Sequence, residues 1–296
     1  MIVMKKNLHL LVIDPQNDFC DLPQTYLGYD SQKKEKLFPA LAVPGAHADM
    51  QRVAQLIRLG GVGLSAITVT LDSHHHYDIA HPCFWVKKDQ QPVFPFTVIS
   101  AAAVRQEEYL PRDRHALPRV LTYLDMLEKN GRYQLMVWPV HCEIGSWGHN
   151  IHPDVRQAYN VWEEEHCKIV QKIYKGSNPW TEHYSAMMAE VPDESDPHTQ
   201  INRRLIQTVN EADKVYIAGE ASSHCVKATT EHLIEYVDPA SLSKLVLLTD
   251  CMSPVSGFEA MHKQFVQNAL ARGLQIANAA DVLPELIANG ESEYAG

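Results

Sequence analysis

Short apolar, β-branched runs alternate along this chain with stretches of helical periodicity. Strands are expected at 8–14, 63–72, 133–138, 169–174, 214–218 and 244–249, with helices near 46–59, 116–130, 153–165, 199–211, 224–236 and 257–271. The apolar runs lack period-two alternation, which suits strands covered on both faces. Strand and helix taking turns points to a central, mostly parallel sheet between two helical layers, a three-layer α/β/α architecture of the α/β class. The stretch at about 75–115 breaks the alternation: it holds HHHYDIAHPCFW, then Pro92, Pro95 and Pro111, with few periodic positions. A long excursion of this kind is often a lid or a binding element. The expectation is one domain over 1–296 carrying an irregular insertion at about 75–115, with the closing GESEYAG as a frayed tail.

Composition narrows the function classes. Hydrophobic residues make up 45% and charged residues 21% of the 296 positions, the balance of an ordinary globular chain. A net charge of −10 and the lack of a Lys/Arg cluster argue against nucleic acid as partner. Lys5 and Lys6 precede an apolar run, but His9 and Asp14 interrupt it and no small-residue cleavage site follows. No window of about 18 apolar residues exists, so no membrane span is expected. The six cysteines show neither paired spacing nor a C-x-x-C unit, which reads as reduced thiols in a cytoplasmic protein.

In open parallel sheets ligands bind beyond the carboxyl ends of the strands. The expected strands end in Asp14, in Asp72 followed by His74, in Trp138-Pro139-Val140-His141, in Lys175-Gly176, and in a turn leading through Glu220 and Ala221 to Cys225. A nucleophile, a cation, two carboxylates and two histidines are thus aimed at one edge. Cys225 opens a helical pattern, where orphan amides and the helix dipole favour a thiolate, more so beside a lysine. A buried, inert cysteine is the alternative. Asp14 by itself could end a strand or cap a turn, and Lys175 by itself could be solvated. Asp72 and His74 lie two apart in extended chain and share a side; with a third histidine they suit Zn²⁺ or a similar divalent ion, while a polar surface loop would look much the same.

Taken together, these segments resemble the motifs of one family. VIDPQNDF resembles the opening motif of the isochorismatase-like and nicotinamidase-like cysteine hydrolases, TLDSH their D-x-H metal motif, and WPVHCEIGS their W-P-x-H-C-x-x-G-[ST] segment. YKGSNP resembles their K-G-[ST] segment and AGEASSHCVKATTEH their G-x-A-x-x-x-C-V-x-x-T nucleophile motif, all in family order from residue 8 to about 232. The resemblance implies the isochorismatase-like hydrolase fold. It implies Cys225 as nucleophile, Asp14 as the base that activates it and later the acid for the leaving amine, and Lys175 as their cationic partner. Asp72, His74 and His141 would hold a divalent metal, Zn²⁺ first among candidates, with His81 a candidate fourth ligand. The Glu220–Ala221 bond would be cis, the amides of Ala221 and Cys225 would form an oxyanion hole, and Phe19 would be an aromatic wall beside the substrate.

The implied reaction is hydrolysis of a small amide through a thioester, with nicotinamide as the leading substrate. Two departures bear on that choice. The span from Asp14 to Lys175 is longer than is common in the family, and His75 follows the D-x-H motif where a proline is frequent. Another carboxamide or a ureido compound admitted by a reshaped pocket is the next reading, then a catalytically silent binding homologue. A structural zinc protein would need four closed ligands, and three are clear. Family members are often dimers or tetramers, so a homo-oligomer is a further expectation.

Overall fold

The computed structural model describes residues 4–292 of the chain. Its strands are β1 (Leu8–Ile13), β2 (Gly28–Asp30), β3 (Glu35–Leu37), β4 (Ala66–Asp72), β5 (Trp85–Lys87), β6 (Thr97–Ile99), β7 (Tyr109–Pro111), β8 (Leu135–Val137), β9 (Gln171–Lys175), β10 (Lys214–Gly219), β11 (Leu245–Leu248) and β12 (Gln275–Ala277). Its α-helices are α1 (Ala46–Gly60), α2 (Ala101–Arg105), α3 (Leu117–Asn130), α4 (Pro153–His166), α5 (Arg203–Glu211), α6 (Cys225–Tyr236), α7 (Glu259–Ala271) and α8 (Ala279–Gly290). No helix among the described residues is long and apolar enough to cross a membrane. The last four residues of the expected frayed tail lie outside the described residues.

Six strands form one sheet in the order β12-β11-β10-β1-β4-β9, every neighbouring pair parallel. All six residues of β1 are buried, as a central strand covered on both faces requires. Helices α1, α4 and α8 pack together as one layer, and α6 and α7 as the other. The three-layer α/β/α architecture is therefore the one expected, with two additions: β12 and α8, which no pattern had marked.

The strand order reverses between β1 and β10, and ligands of parallel sheets sit at such a switch point. Gly219 closes β10 there with φ +117, and a Cβ at that position would collide with the carbonyl oxygen of Ile13 on β1. Only glycine lets the two strand ends run so close.

One expected strand belongs elsewhere. The 133–138 run forms β8, which pairs antiparallel with β6 in a two-stranded sheet of its own and takes no place in the main sheet. The physical reason is that a short apolar run reports burial on both faces, not the identity of the neighbours. Leu135 and Val137 point into a second hydrophobic cluster with Phe84, Trp85, Val120 and Leu124, while Met136 and Trp138 face the main core. That second cluster gathers much of the 75–115 stretch onto α3. Within the stretch, β5 pairs with β7, and Ser100 caps α2 by accepting from the amide of Ala103.

Candidate active site

The site begins where β1 and β4 end side by side. Asp14 sits just past β1 with φ +43, and its carboxylate turns to Thr70 of β4. Thr70 Oγ1 donates to Asp14 Oδ1 at 2.5 Å and accepts from the Asp14 amide at 3.0 Å, so one hydroxyl fixes both backbone and side chain. Gln16 spans to the end of β4 in the same way. Its Oε1 accepts from the Asp72 amide at 2.7 Å and its Nε2 donates to the Asp72 carbonyl at 2.8 Å.

Lys175, the last residue of β9, is 2% exposed and reaches across these ends. Its Nζ lies 2.8 Å from Asp14 Oδ2 and 3.1 Å from Asp72 Oδ1. It also donates to the His183 carbonyl at 3.1 Å and lies 3.6 Å from Cys225 Sγ. Gly176 follows with φ +88, and a side chain there would press on Asp72 Oδ1 at 2.9 Å.

Two carboxylates, one ammonium and one thiol thus share a buried space. Burial alone would lower the Lys175 pKa, but Asp14 and Asp72 outweigh it and hold the ammonium well above its ordinary value. For Asp14, burial wins over Lys175 and raises the carboxyl, with Asp72 adding to the rise. The Cys225 thiol is pushed well above its ordinary range by burial; Lys175 pulls it down, and Asp14 and Asp72 push it up. That burial opposes the pull toward the thiolate expected from a helix N-terminus beside a lysine. Placement at a helix N-terminus beside a lysine is as foreseen, but burial with two carboxylates dominates. The sulfur holds its proton, with Asp14 as the neighbouring acceptor.

Cys225 is the first residue of α6, and no side chain caps that helix. The turn before it carries a cis peptide between Glu220 and Ala221. His224 and Val226 both donate to the Ala221 carbonyl, and Ser222 donates to the Ser253 carbonyl. The amides of Ala221 and Cys225 donate to no group among the described residues. Two free N–H groups beside a nucleophile are what a developing oxyanion needs.

Asp72 turns its other oxygen to the histidines. Oδ2 lies 3.0 Å from His74 Nε2 and 3.4 Å from His141 Nε2. His141 Nδ1 faces the Pro139 carbonyl at 2.8 Å, which places its proton there and leaves Nε2 a lone pair. His81, fully buried, faces the carbonyls of His75 and His76 with Nδ1 in the same manner. Its Nε2 is buried without any partner, and donor atoms of His74, His81 and His141 lie within 4.8 Å of one another. Burial drops the His81 pKa to about 3, so it stays neutral with that lone pair available. Asp72, His74, His141 and His81 therefore fit a divalent cation: one carboxylate and three imidazoles, one of which has an orphaned buried nitrogen. Between Asp72 and Asp78 the His74 ring is held protonated well above its usual value despite burial, and a cation on the Nε2 side would take one proton's place.

These groups meet at a small cavity lined by Phe19, Leu41, Asp72, Trp138, His141, Ala221, His224, Cys225 and Val255. The Phe19 ring stands 5.5 Å from that of His141. Larger clefts on the surface hold neither Cys225 nor Asp14, and chemistry rather than volume marks the site. Of the residues expected from the sequence, Phe19, Asp72, His141, Ala221 and Cys225 line this cavity, while Lys175 with Asp14, and His74, stand behind it against Cys225 and Asp72. Unforeseen were Thr70, Asp78 and the group Glu182, His183 and Tyr184, which closes the cavity wall. Trp138 Nε1 donates to Tyr184 Oη at 3.0 Å and to Glu182 Oε2 at 3.2 Å. Burial lifts the Glu182 pKa to about 7. Those three residues fall in a proline-broken segment without periodicity, so no sequence signal could have found them.

Known proteins resemble the chain in both sequence and fold. A nicotinamidase of Saccharomyces cerevisiae is 28% identical over 251 residues, covering 83% of this chain and 88% of that protein. Among solved structures, a yeast nicotinamidase bound to the inhibitor nicotinaldehyde superposes with a TM-score of 0.60 at 20% identity, over 92% of this chain and 99% of that one. A pyrazinamidase of Pyrococcus horikoshii in complex with zinc gives 0.52 at 19% identity, over 92% and 99%. No family model matches the chain. The resemblance carried by the motifs, to isochorismatase-like and nicotinamidase-like cysteine hydrolases, is met by these similarities.

Proposed function

We propose that this chain, a hydrolase acting on non-peptide carbon–nitrogen bonds, is a nicotinamidase-like cysteine amidase whose first substrate is nicotinamide. One observation carries the reading: Lys175 Nζ stands between Asp14 Oδ2 at 2.8 Å and Cys225 Sγ at 3.6 Å, beside two free amides and a small cavity. The relatives named nicotinamidase support the substrate class.

In this reading Asp14 takes the thiol proton and the thiolate attacks the carboxamide carbon. Lys175 holds the charge of Asp14 and the sulfur in place. The amides of Ala221 and Cys225 receive the oxyanion, each worth about 3 kcal/mol by analogy with other oxyanion holes. Asp14 returns its proton to the nitrogen and ammonia leaves. Water, deprotonated by Asp14, then cleaves the Cys225 thioester, releasing the carboxylate and the thiol. Phe19 and Trp138 enclose a planar ring. Asp72, His74 and His141, with His81 as the fourth donor, would hold the divalent metal, Zn²⁺ by its mix of imidazole and carboxylate. When bound it would supply a Lewis-acid contact for a polar ring atom of the substrate.

Ammonia release from nicotinamide, and from a panel of other carboxamides and ureido compounds, tests the reading with wild type and Cys225→Ala. Release from nicotinamide that falls at least about 1000-fold in the variant, with the fold intact, is the expected result. Equal activity in Cys225→Ala would remove the nucleophile. Release from a different amide alone would keep the machinery and give substrate choice to the wall that Phe96 builds against Trp138.

A further inference from the structure

The turn bearing Ala221 and Cys225 is braced from behind by two buried carboxyl groups. Glu220 is 0% and Asp49 4% exposed. Ser253 joins them, donating its amide to Glu220 Oε2 at 3.1 Å and its hydroxyl to Asp49 Oδ2 at 2.5 Å. The same residue's carbonyl accepts from the Ser222 amide at 2.9 Å, and Val255 donates its amide to Ser223 Oγ at 3.1 Å. Segment 253–255 therefore grips the nucleophile turn at three points, and α1 grips the segment through Asp49.

The oxygen count shows what Glu220 must be. Asp49 Oδ1 accepts from Arg52 Nη1 at 2.8 Å, so each Asp49 oxygen has a donor. Glu220 Oε1 is buried with none. An ionised Glu220 would strand a charged, buried oxygen there without a donor. A proton on Oε1 turns the orphan into a donor with Asp49 as its acceptor, the side chain it already faces. The surrounding groups favour that proton. From α1 come Asp49 and the cation Arg52, and from the loop after β1 come Asp21 and Cys20; Arg52 also donates to the Asp250 carbonyl. Burial first, then Asp49, hold Glu220 well above the usual carboxyl range.

We propose that Glu220, sharing one proton with Asp49 and anchored by Ser253, is the positioning residue that fixes the Ala221 and Cys225 amides and the Cys225 sulfur for reaction. It acts through the turn and touches no reacting atom. The proposal rests on the amidase reading above.

Hydrolysis of nicotinamide by wild type, Glu220→Ala and Glu220→Gln tests it. Glu220→Ala should lose about tenfold or more in kcat with KM changed by less than about twofold, because the misplaced amides serve the transition state. Glu220→Gln supplies a permanent donor to Asp49 and an acceptor to Ser253. It should recover kcat to within about threefold. A Glu220→Ala enzyme with wild-type kcat would overturn the proposal, as would a Glu220→Gln enzyme no better than Glu220→Ala. Should wild type be silent toward every amide, the amidase reading fails alone. The same variants are then compared by iodoacetamide alkylation of Cys225, followed by peptide mass. A rate changed about threefold or more in Glu220→Ala and restored in Glu220→Gln supports positioning, and equal rates in all three sink it.

Discussion

Asp72 divides its carboxylate between two tasks: Oδ1 lies 3.1 Å from Lys175 Nζ, while Oδ2 faces the imidazoles of His74 and His141. One side chain thus couples the reactive trio to the cation site. Asp72→Asn should lower metal content and amide turnover together, each by about 100-fold or more in affinity or kcat/KM. Metal analysis beside ammonia release checks it; a variant that keeps its metal yet loses turnover would confine Asp72 to the lysine.

Asp78 holds the far nitrogen of His74, with Oδ2 3.1 Å from Nδ1. Asp78→Asn should weaken metal binding about 10- to 100-fold while the ligand atoms all remain. Competition with a chelator reads the affinity directly. An unchanged affinity would show that the ring orients without this partner.

Thr70 makes a two-way bond with Asp14. Thr70→Val leaves a buried amide and a buried carboxylate oxygen short of partners, so stability should fall by about 1–3 kcal/mol. Turnover should drop as Asp14 loses its orientation, and Thr70→Ser should restore both. Denaturant midpoints and kcat for the three proteins settle the matter.

His9 lies inside β1, its Nε2 2.9 Å from Thr68 Oγ1, and burial lowers its pKa to about 4. Its folded value is below the ordinary 6.5, so the unfolded chain binds the proton more readily. The neutral ring's contribution is complete above about pH 6.5 and is lost as pH falls toward 4, on the order of 3 kcal/mol in all. His9→Gln keeps a polar partner for Thr68 and removes the titration. Its melting temperature relative to wild type should therefore rise by several degrees between pH 7.5 and pH 5. A constant difference over that range would show that His9 does not drive the acid loss.

What was legible in the sequence were the strand ends. Asp14, Asp72, Lys175 and Cys225 each close or follow a run of apolar residues, and a parallel sheet must bring such ends together. The 133–138 run was legible as buried but not as placed, since its apolar residues serve two cores at once. β12 has three residues, none fully buried, and α8 carries Pro284 within it, so neither announced itself by pattern. The supporting shell was least visible. Thr70 reads as one more β-branched residue of a strand, and Asp78 as loop polarity, until the partner across the gap is known. The thiol's protonation depended on how deeply Cys225 sits, which spacing does not encode.

The double-faced strand β8 has a consequence for how such an enzyme can change. Leu135 and Val137 are held by the second cluster, while Met136 and Trp138, on the same three to four residues, face the main core and the cavity. A substitution among Phe84, Val120 or Leu124 can therefore tilt the Trp138 wall without altering an atom of the trio at the strand ends. On the amidase reading, Trp138's share of the cavity wall can shift in this way while the strand ends bearing Asp14, Lys175 and Cys225 stay as they are.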